Sequence, residues 1–288
     1  MKILSPAKVN LFLKILGKRI DGYHDLMTLM CCIGLYDTVS IDVGHTNIAV
    51  SCSHLLVPED ETNLAHVAAN IFLKTLERND GVKIFIQKQI PVAAGLGGGS
   101  SNAAAVLLGL NRYYDYPFSM KELLSMGLSI GADVPFFLFQ KPAIATGIGE
   151  KLEAYPGLET FSMVLVSPGV SISTAEVYKK LNLGLTKCKK KLKTFPLNNQ
   201  RFDPRCHLCN DLEAVTASTY PVINTVKKAL LRHGALGALM SGSGPTIFGL
   251  FSDSHGASQA NHALFNIYGW KTYLADMITK DTGFDIQA

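Results

Sequence analysis

The spacing of apolar and polar residues along the chain predicts both strands and helices, in mixed order. Residues 37–43 and 82–88 alternate between apolar and polar side chains, which is typical of half-buried strands. Residues 61–78 instead carry apolar side chains at helical spacing, with Asn63 as a candidate N-cap. The apolar N-terminal stretch predicts a strand pair, or one long strand with a break at Pro6.

Short capping signals predict further helices. Ser119 and Ser173 are each followed three residues later by glutamate, a capping-box pattern that predicts helices over 119–131 and 173–181. Residues 221–234 have helical spacing and end in glycine, and a strand, a helix and another strand follow them. Strands and helices therefore alternate in both halves of the chain.

The order of these elements predicts an α+β protein of two domains, over residues 1–155 and 156–288. The composition is that of a globular protein, with 48% hydrophobic and 17% charged residues. A net charge of +4 gives no reason to expect nucleic-acid binding, but it suits an anionic small ligand. We expect no membrane span, because the most apolar region contains Asp133 and Lys141.

The N-terminal residues and the cysteines bear on the cellular compartment. Lys8, Asn10 and Lys14 interrupt the N-terminal apolar run, which argues against a secretory signal. We therefore expect a cytoplasmic location, with the six cysteines as reduced thiols.

The most distinctive stretch is PVAAGLGGGSSNAAA at residues 91–105, where glycines replace side chains between a predicted strand and a predicted helix. Glycine lets a phosphate approach the backbone, and the N–H groups of a helix N-terminus favour an anion. Two common nucleotide loops are excluded. Ser100 stands where the Walker A pattern needs lysine, and where the dinucleotide fingerprint needs its third glycine. A flexible surface turn is the alternative interpretation.

This loop resembles the phosphate loop of the superfamily of galactokinase, homoserine kinase, mevalonate kinase and phosphomevalonate kinase, the GHMP kinases. Its doubled glycine and SSNAA resemble one branch, the kinases of 4-diphosphocytidyl-2-C-methyl-D-erythritol. Residues 182–206 match that branch poorly. Further motifs of the branch occur in order along nearly the whole chain: SPAKVNLFL at 5–13, DGYHDL at 21–26, GADVPFF at 131–137, PGVSISTAEVY at 168–178, NDLE at 210–213 and MSGSGPTIFGLF at 240–251.

The resemblance implies a two-domain GHMP kinase fold, with an N-terminal ribosomal-protein-S5-like domain and a C-terminal ferredoxin-like α/β domain. It also implies phosphoryl transfer from ATP, accompanied by Mg²⁺, to the 2-hydroxyl of the cytidine diphosphate derivative of methylerythritol. That reaction belongs to the non-mevalonate route to isopentenyl diphosphate. We expect a monomer or a weak homodimer, without a nucleic-acid or membrane partner.

The resemblance assigns roles to single residues as well. Asp133 would be the base that takes the hydroxyl proton, and Lys8 would stabilise the developing charge. The acceptor would be bound by Asn10, Tyr23, His24, Thr174 and Tyr178, the two tyrosine rings packing against the cytosine. ATP would be bound by Asn63 and by the loop and its flanks, Pro91, Val92, Ala93, Ala94, Gly95, Leu96, Gly97, Gly98, Gly99, Ser100, Ser101 and Asn102.

Several of these residues also have a plainer interpretation. Lys8 could be a surface lysine whose stem lies on apolar neighbours, and Asp133 a solvated turn residue. Tyr178 could be a core tyrosine, and helix capping alone explains Asn63. The second small-residue loop, 240–246, either closes over the active site or is a tight turn before a strand.

Three rival functions remain open. The first is a sister kinase that acts on homoserine or mevalonate. Those acceptors contain no nucleobase that could stack on Tyr23, His24 and Tyr178. A nucleotide-binding module without catalysis would not need Lys8 and Asp133.

The third rival is a zinc-bound interaction domain. It would rest on Cys206 and Cys209, which have the spacing of half a zinc site but lack a second pair. The basic stretch 187–193 is typical of a solvated loop.

Overall fold

The computed structural model describes residues 1–181, 188, 201–280 and 284–287. Most of the basic stretch 187–193 lies outside the described residues. The described strands and helices confirm the predicted α+β class. In chain order they are β1 (Lys2–Lys18), β2 (His24–His45), β3 (Ala49–Cys52), α1 (Leu64–Thr75), β4 (Gly81–Gln87), α2 (Gly98–Tyr113), α3 (Met120–Ile130), α4 (Val134–Phe139), β5 (Ala143–Gly147), β6 (Lys151–Ala154), β7 (Ser162–Ser167), α5 (Thr174–Lys179), α6 (Pro204–His207), β8 (Cys209–Asn210), α7 (Asp211–Thr219), α8 (Val222–Arg232), β9 (Gly237–Met240), β10 (Ile247–Phe251), α9 (Ser254–Tyr268), β11 (Lys271–Ile278) and β12 (Ile286–Gln287).

The two long N-terminal strands, β1 and β2, form an antiparallel pair. β1 is one continuous strand, and the expected break at Pro6 is a shift of register between Pro6 and Ala7. Proline has no N–H to donate to the ladder, and an irregularity of this kind accommodates it. β2 starts at His24, well before the predicted 37–43, because residues 26–33 are buried throughout and do not alternate.

Helix caps agree with the sequence. The Asn63 side chain accepts a hydrogen bond from the N–H of Ala65 and caps α1. The capping box of Ser119 and Glu122 is present in full at the start of α3. At α5, the Ser173 hydroxyl accepts from the N–H of Glu176 at 3.4 Å.

The described strands join into one sheet through β11. The central path runs β12-β1-β2-β11-β7-β10-β9, and β4, β5 and β8 pair with its N-terminal part. Met277 and Ile278 at the end of β11 pair with Ile33 and Cys32 of β2. The hydrogen-bonded path is therefore continuous between the two halves of the chain, and the division at residue 155 stays a prediction.

Helix α2 lies close to the first strands because its residues are small. Ala103, Ala104 and Ala105 are fully buried, and a side chain at Gly109 would meet Ile3 Cδ1 at 2.6 Å. This close packing brings the N-terminus of α2 and the glycine loop before it against β1. No described helix is long and apolar enough to cross a membrane.

The expectation of six reduced cysteines is wrong. Cys188 and Cys209 form a disulfide, with their Cα atoms 5.7 Å apart. The buried Asp211 carboxylate brings these segments together, since its Oδ1 accepts from the N–H of Cys188 at 3.0 Å and its Oδ2 from the N–H of Ile15 at 3.0 Å. The sequence hides this pair because neither cysteine has a spacing motif with the other.

The pairing of Cys209 also bears on the half zinc site. One of its two thiols is taken up by the disulfide, and Cys206 is exposed. Among the residues that the structure describes, no three His, Cys, Asp or Glu side chains are grouped as a metal site requires.

Candidate active site

A cavity of ≈ 940 Å³ lies where β1, β2, the glycine loop and the helices α4 and α5 meet. Its volume suits a small-molecule ligand. The cavity brings together ten of the residues predicted to form the site: Lys8, Asn10, Tyr23, His24, Gly95, Gly97, Ser100, Asp133, Thr174 and Tyr178.

Lys8 and Asp133 form the charged centre of this cavity. Lys8 Nζ lies 3.4 Å from Asp133 Oδ2, with the lysine side chain 5% and the aspartate side chain 39% exposed. β1 places the lysine, and Asp133 stands at the N-cap position of α4, whose proline in the first turn fits a helix start. The lysine is therefore no surface residue, and its ammonium and the carboxylate both face the space available to a ligand.

A short relay of hydrogen bonds holds the lysine. Its ammonium donates to Asn10 Oδ1 at 2.7 Å, and Asn10 Nδ2 donates to Thr28 Oγ1 at 2.9 Å. The Thr28 hydroxyl donates in turn to the carbonyl of Phe12 at 2.7 Å. Thr28 has no motif in the sequence, and only the register of β1 against β2 reveals it as a member of the site.

The glycine loop ends at an open helix N-terminus. Gly97 occupies the N-cap position of α2 with φ +71°, and no side chain caps the helix. A Cβ at Gly97 would meet the Phe137 ring at 2.9 Å and Lys8 Cγ at 3.1 Å. Glycine is therefore required both by the backbone conformation and by the close approach to the lysine. The first N–H groups of α2 are left to bind an anion.

Backbone contacts fix the rest of the loop. The carbonyl of Leu96 accepts from the N–H of Lys8 at 2.9 Å, and the carbonyl of Ala94 from the N–H of Thr246 at 3.4 Å. The side chains of Ala94 and Leu96 are buried, and Ala93 has a left-handed backbone at φ +53°. These apolar side chains stabilise the loop, so that a ligand would meet its backbone.

Three of the predicted ATP residues have their side chains committed to the protein. The hydroxyl of Ser101 is fully buried and accepts from Ser5 Oγ at 2.7 Å. Asn102 Nδ2 donates to Ser5 and to Asp37. The Asn63 amide accepts from Ala65 and donates to the carbonyl of Pro58 at 2.7 Å.

The far end of the cavity is aromatic. The rings of His24 and Tyr178 lie 5.2 Å apart at 39°, and Tyr23 is exposed. Burial lowers the pKa of His24, and the charge of Lys18 lowers it further. Burial and then the charge of Asp133 raise the pKa of Tyr178 to about 12. Both rings are consequently neutral near pH 7, which suits contact with a flat uncharged group.

The second small-residue loop closes one wall of the cavity. Ser241 Oγ donates to the carbonyl of Gly95 at 2.9 Å, and Ser243 Oγ lies 2.7 Å from Thr174 Oγ1. The Asn210 side chain also holds this loop, since its Nδ2 donates to the carbonyl of Met240 at 2.9 Å and to that of Gly242 at 2.7 Å. The loop therefore contacts both the glycine loop and α5, which favours the closing interpretation over a mere turn.

This fold is that of the GHMP kinases. The model of the GHMP kinases N terminal domain matches residues 63–141, and the model of the GHMP kinases C terminal matches residues 197–269. Proteins named 4-diphosphocytidyl-2-C-methyl-D-erythritol kinase match over almost their full length. The protein of Syntrophus aciditrophicus is 45% identical over 95% of this chain and 98% of its own. That of Caldicellulosiruptor saccharolyticus is 40% identical over 98% of this chain and 97% of its own. The chain belongs to the 4-diphosphocytidyl-2-C-methyl-D-erythritol kinase family.

Solved structures agree with this placement. A crystal structure of 4-(cytidine 5'-diphospho)-2C-methyl-D-erythritol kinase superposes with a TM-score of 0.80 at 32% identity, covering 96% of this chain and 99% of that one. Homoserine kinase from Cytophaga hutchinsonii superposes with a TM-score of 0.77 at 19% identity, covering 99% of this chain and 96% of its own. The second likeness shows that the fold is shared with a sister kinase.

Proposed function

We propose that the protein is an ATP-dependent kinase that phosphorylates the 2-hydroxyl of 4-diphosphocytidyl-2-C-methyl-D-erythritol, a step of the non-mevalonate route to isopentenyl diphosphate. The observation that carries the proposal is the Lys8–Asp133 pair, whose charged atoms lie 3.4 Å apart. The pair lines the same cavity as the N-terminus of α2, which no side chain caps. The names of relatives 40–45% identical support the choice of acceptor.

Asp133 acts as the base of the transfer. Its carboxylate takes the proton of the acceptor hydroxyl while the hydroxyl oxygen forms a bond to the γ-phosphorus of ATP. The bond from that phosphorus to the oxygen bridging the β and γ positions breaks, and ADP leaves. Partial exposure of Asp133 gives the proton a path to solvent.

Lys8 stabilises the charge that develops on the transferred group. Its ammonium is held by Asn10 and by Asp133, so little reorganisation is needed during the reaction. Because the lysine side chain is almost fully buried, its charge is weakly screened by water.

The glycine loop binds the ATP phosphates. The backbone N–H groups at the start of α2 supply the contacts, with the hydroxyl of Ser100 beside them in the cavity. Ser101, Asn102 and Asn63 act in this binding by fixing the loop and the nearby start of α1 rather than through free side-chain groups. Leu64 at that start lies opposite Gly99.

Mg²⁺ accompanies the nucleotide in this proposal. Nucleotide-bound Mg²⁺ keeps several waters and is held largely by the phosphates, with few protein ligands. Ser100 lines the cavity, and its hydroxyl oxygen would fit such a small donor set, while Asp133 accepts the proton. The ion would neutralise phosphate charge during transfer.

The acceptor occupies the aromatic end of the cavity. His24 and Tyr178 flank the cytosine, with Tyr23 at the rim, and Asn10 and Thr174 lie nearer the reacting centre. The protein would act in the cytoplasm as a monomer or weak homodimer, with two domains divided near residue 155.

The test is ADP release from Mg-ATP by the purified protein. The cytidine diphosphate methylerythritol, mevalonate, homoserine and galactose are offered one at a time. Turnover with the first alone is the expected result. Turnover with another acceptor would retain the Lys8–Asp133 chemistry and overturn the acceptor assignment. No ADP release with any of the four acceptors would instead favour a nucleotide-binding module without catalysis.

A further inference from the structure

A buried carboxylate with no place in the chemistry above lies beneath the glycine loop. Asp37 on β2 is 0% exposed and does not line the cavity. Its neighbour Thr38 pairs with Gln87, the last residue of β4. Asp37 thus stands at the point where the chain leaves the sheet and turns toward the loop.

Four donors converge on this one carboxylate. Oδ1 accepts from the N–H of Gln89 at 2.8 Å and from the N–H of Ile90 at 2.9 Å. Oδ2 accepts from the Lys88 ammonium and from Asn102 Nδ2, the latter at 3.0 Å. A carboxylate has about four acceptor positions, so Asp37 is fully used.

These donors come from both ends of the glycine loop. Residues 88–90 are the chain that enters the loop at Pro91, and Asn102 belongs to the first turns of α2, which leaves it. Ser5 adds a second tie, since its hydroxyl donates to Ser101 Oγ at 2.7 Å and accepts from Asn102 Nδ2 at 3.1 Å.

We propose that Asp37 is a positioning residue, which sets the glycine loop for nucleotide phosphates by binding the chain on both sides of it. This inference rests on the proposed function, in which that loop binds ATP. The glycines of the loop have no side chains to fix their own positions, and misplacement of phosphate-binding groups weakens their contacts. The buried carboxylate supplies that fixed point.

The test is the Asp37→Asn variant. Its amide has nearly the shape of the carboxylate, but its NH₂ group must face at least two donors, whichever way it is turned. The expected result is a KM for ATP about tenfold higher or more, with the KM for the acceptor nearly unchanged. A merely structural role would lower the thermal midpoint and leave the ratio of the two KM values unchanged.

A double variant separates position from charge. In Asp37→Asn with Lys88→Met, no ammonium opposes the new NH₂ group, and Asn102 can turn its oxygen toward it. We expect part of the ATP affinity to return. Asp42→Asn is the matched control, because Asp42 lies on the same strand but is exposed and bound to His45. Its KM for ATP should equal that of the unaltered protein.

If Asp37→Asn does not fold, Ser5→Ala carries the test, since it removes only the second tie. It should raise the KM for ATP more than the KM for the acceptor. Equal rises in both KM values, or none in a folded variant, would overturn the inference. Failure of the proposed function is distinguishable, because Gly97→Ala would then leave the KM for ATP unchanged, or the unaltered protein would transfer no phosphate.

Discussion

Lys8 Nζ lies 3.4 Å from Asp133 Oδ2, and the two side chains differ sharply in their access to water. The lysine is fixed from below by Asn10, whereas the aspartate stands at the cavity surface. In the proposed mechanism the pair therefore combines a charge that water barely screens with a base that can release its proton to solvent. Because the two side chains have different roles in this mechanism, a variant of each residue should change activity in a different way.

Asp133→Asn should lower kcat by about 10²–10⁴-fold, because the amide cannot accept the hydroxyl proton. The KM for ATP should change little, since the glycine loop is untouched. The measurement is steady-state ADP release with each substrate varied in turn. A kcat within a few-fold of that of the unaltered protein would remove Asp133 as the base.

Gly97→Ala should abolish most ATP binding. The loop requires a left-handed backbone at φ +71°, which a residue with a Cβ rarely adopts, and the new Cβ would meet the Phe137 ring at 2.9 Å. Gly99→Ala is the comparison, because its Cβ meets only Leu64 Cδ1 at 3.6 Å. Calorimetric titration should show that Gly99→Ala binds ATP with much higher affinity than Gly97→Ala. Equal affinities would mean that the ligand does not require this loop geometry.

In the proposed acceptor site, the lowered pKa of His24 predicts a pH dependence of acceptor binding. Because burial and Lys18 lower this pKa from 6.5, the neutral ring persists below that pH. The KM for the acceptor should stay constant from pH 8 down past 6.5 and rise only at more acidic pH. It is measured as a function of pH, with the His24 titration followed by NMR.

Lys18→Met provides the control for this pH dependence. Removing the Lys18 charge should raise the His24 pKa only in part, because burial is the larger cause of its lowering. The rise in KM should then begin at a higher pH than in the unaltered protein. An NMR midpoint above 6.5 before mutation would contradict the prediction.

The disulfide should contribute measurably to stability. Cys188 and Cys209 are 21 residues apart, and closing a loop of that size stabilises a fold by about 3 kcal/mol in the chain-entropy model. Cys188→Ser should lose roughly this free energy of unfolding in urea, and Cys206→Ser, an exposed free thiol, should not. Dithiothreitol should destabilise the unaltered protein but not Cys188→Ser. Equal urea midpoints for the unaltered protein, Cys188→Ser and Cys206→Ser would contradict the Cys188–Cys209 disulfide.

Local signals predicted the glycine stretch and two of the helix caps. The glycine stretch, the Ser119 cap and the Asn63 cap depend on residues within a few positions of one another, so the sequence alone suffices for them. Prediction of the contact between Lys8 and Asp133 depended on the family resemblance, because no local sequence pattern joins these two residues.

The supporting residues could not be predicted in this way. Asp37 meets Asn102 across 65 positions, and Ser5 meets Ser101 across 96. Such contacts depend on strand register and on how α2 packs, which periodicity does not determine. The same reasoning explains the missed pairing of Cys188 with Cys209, where a buried carboxylate sets the distance.

The place of β1 in the sheet has a consequence for synthesis of the protein. The strand that bears Lys8 and Asn10 pairs with β8 and with β12, so that Ile3 lies beside Ile286. A chain still emerging from the ribosome has made the lysine, the glycine stretch and Asp133 long before those two partners exist. Until then one edge of β1 lacks its native neighbours, so the first strand to be made is among the last to be completed.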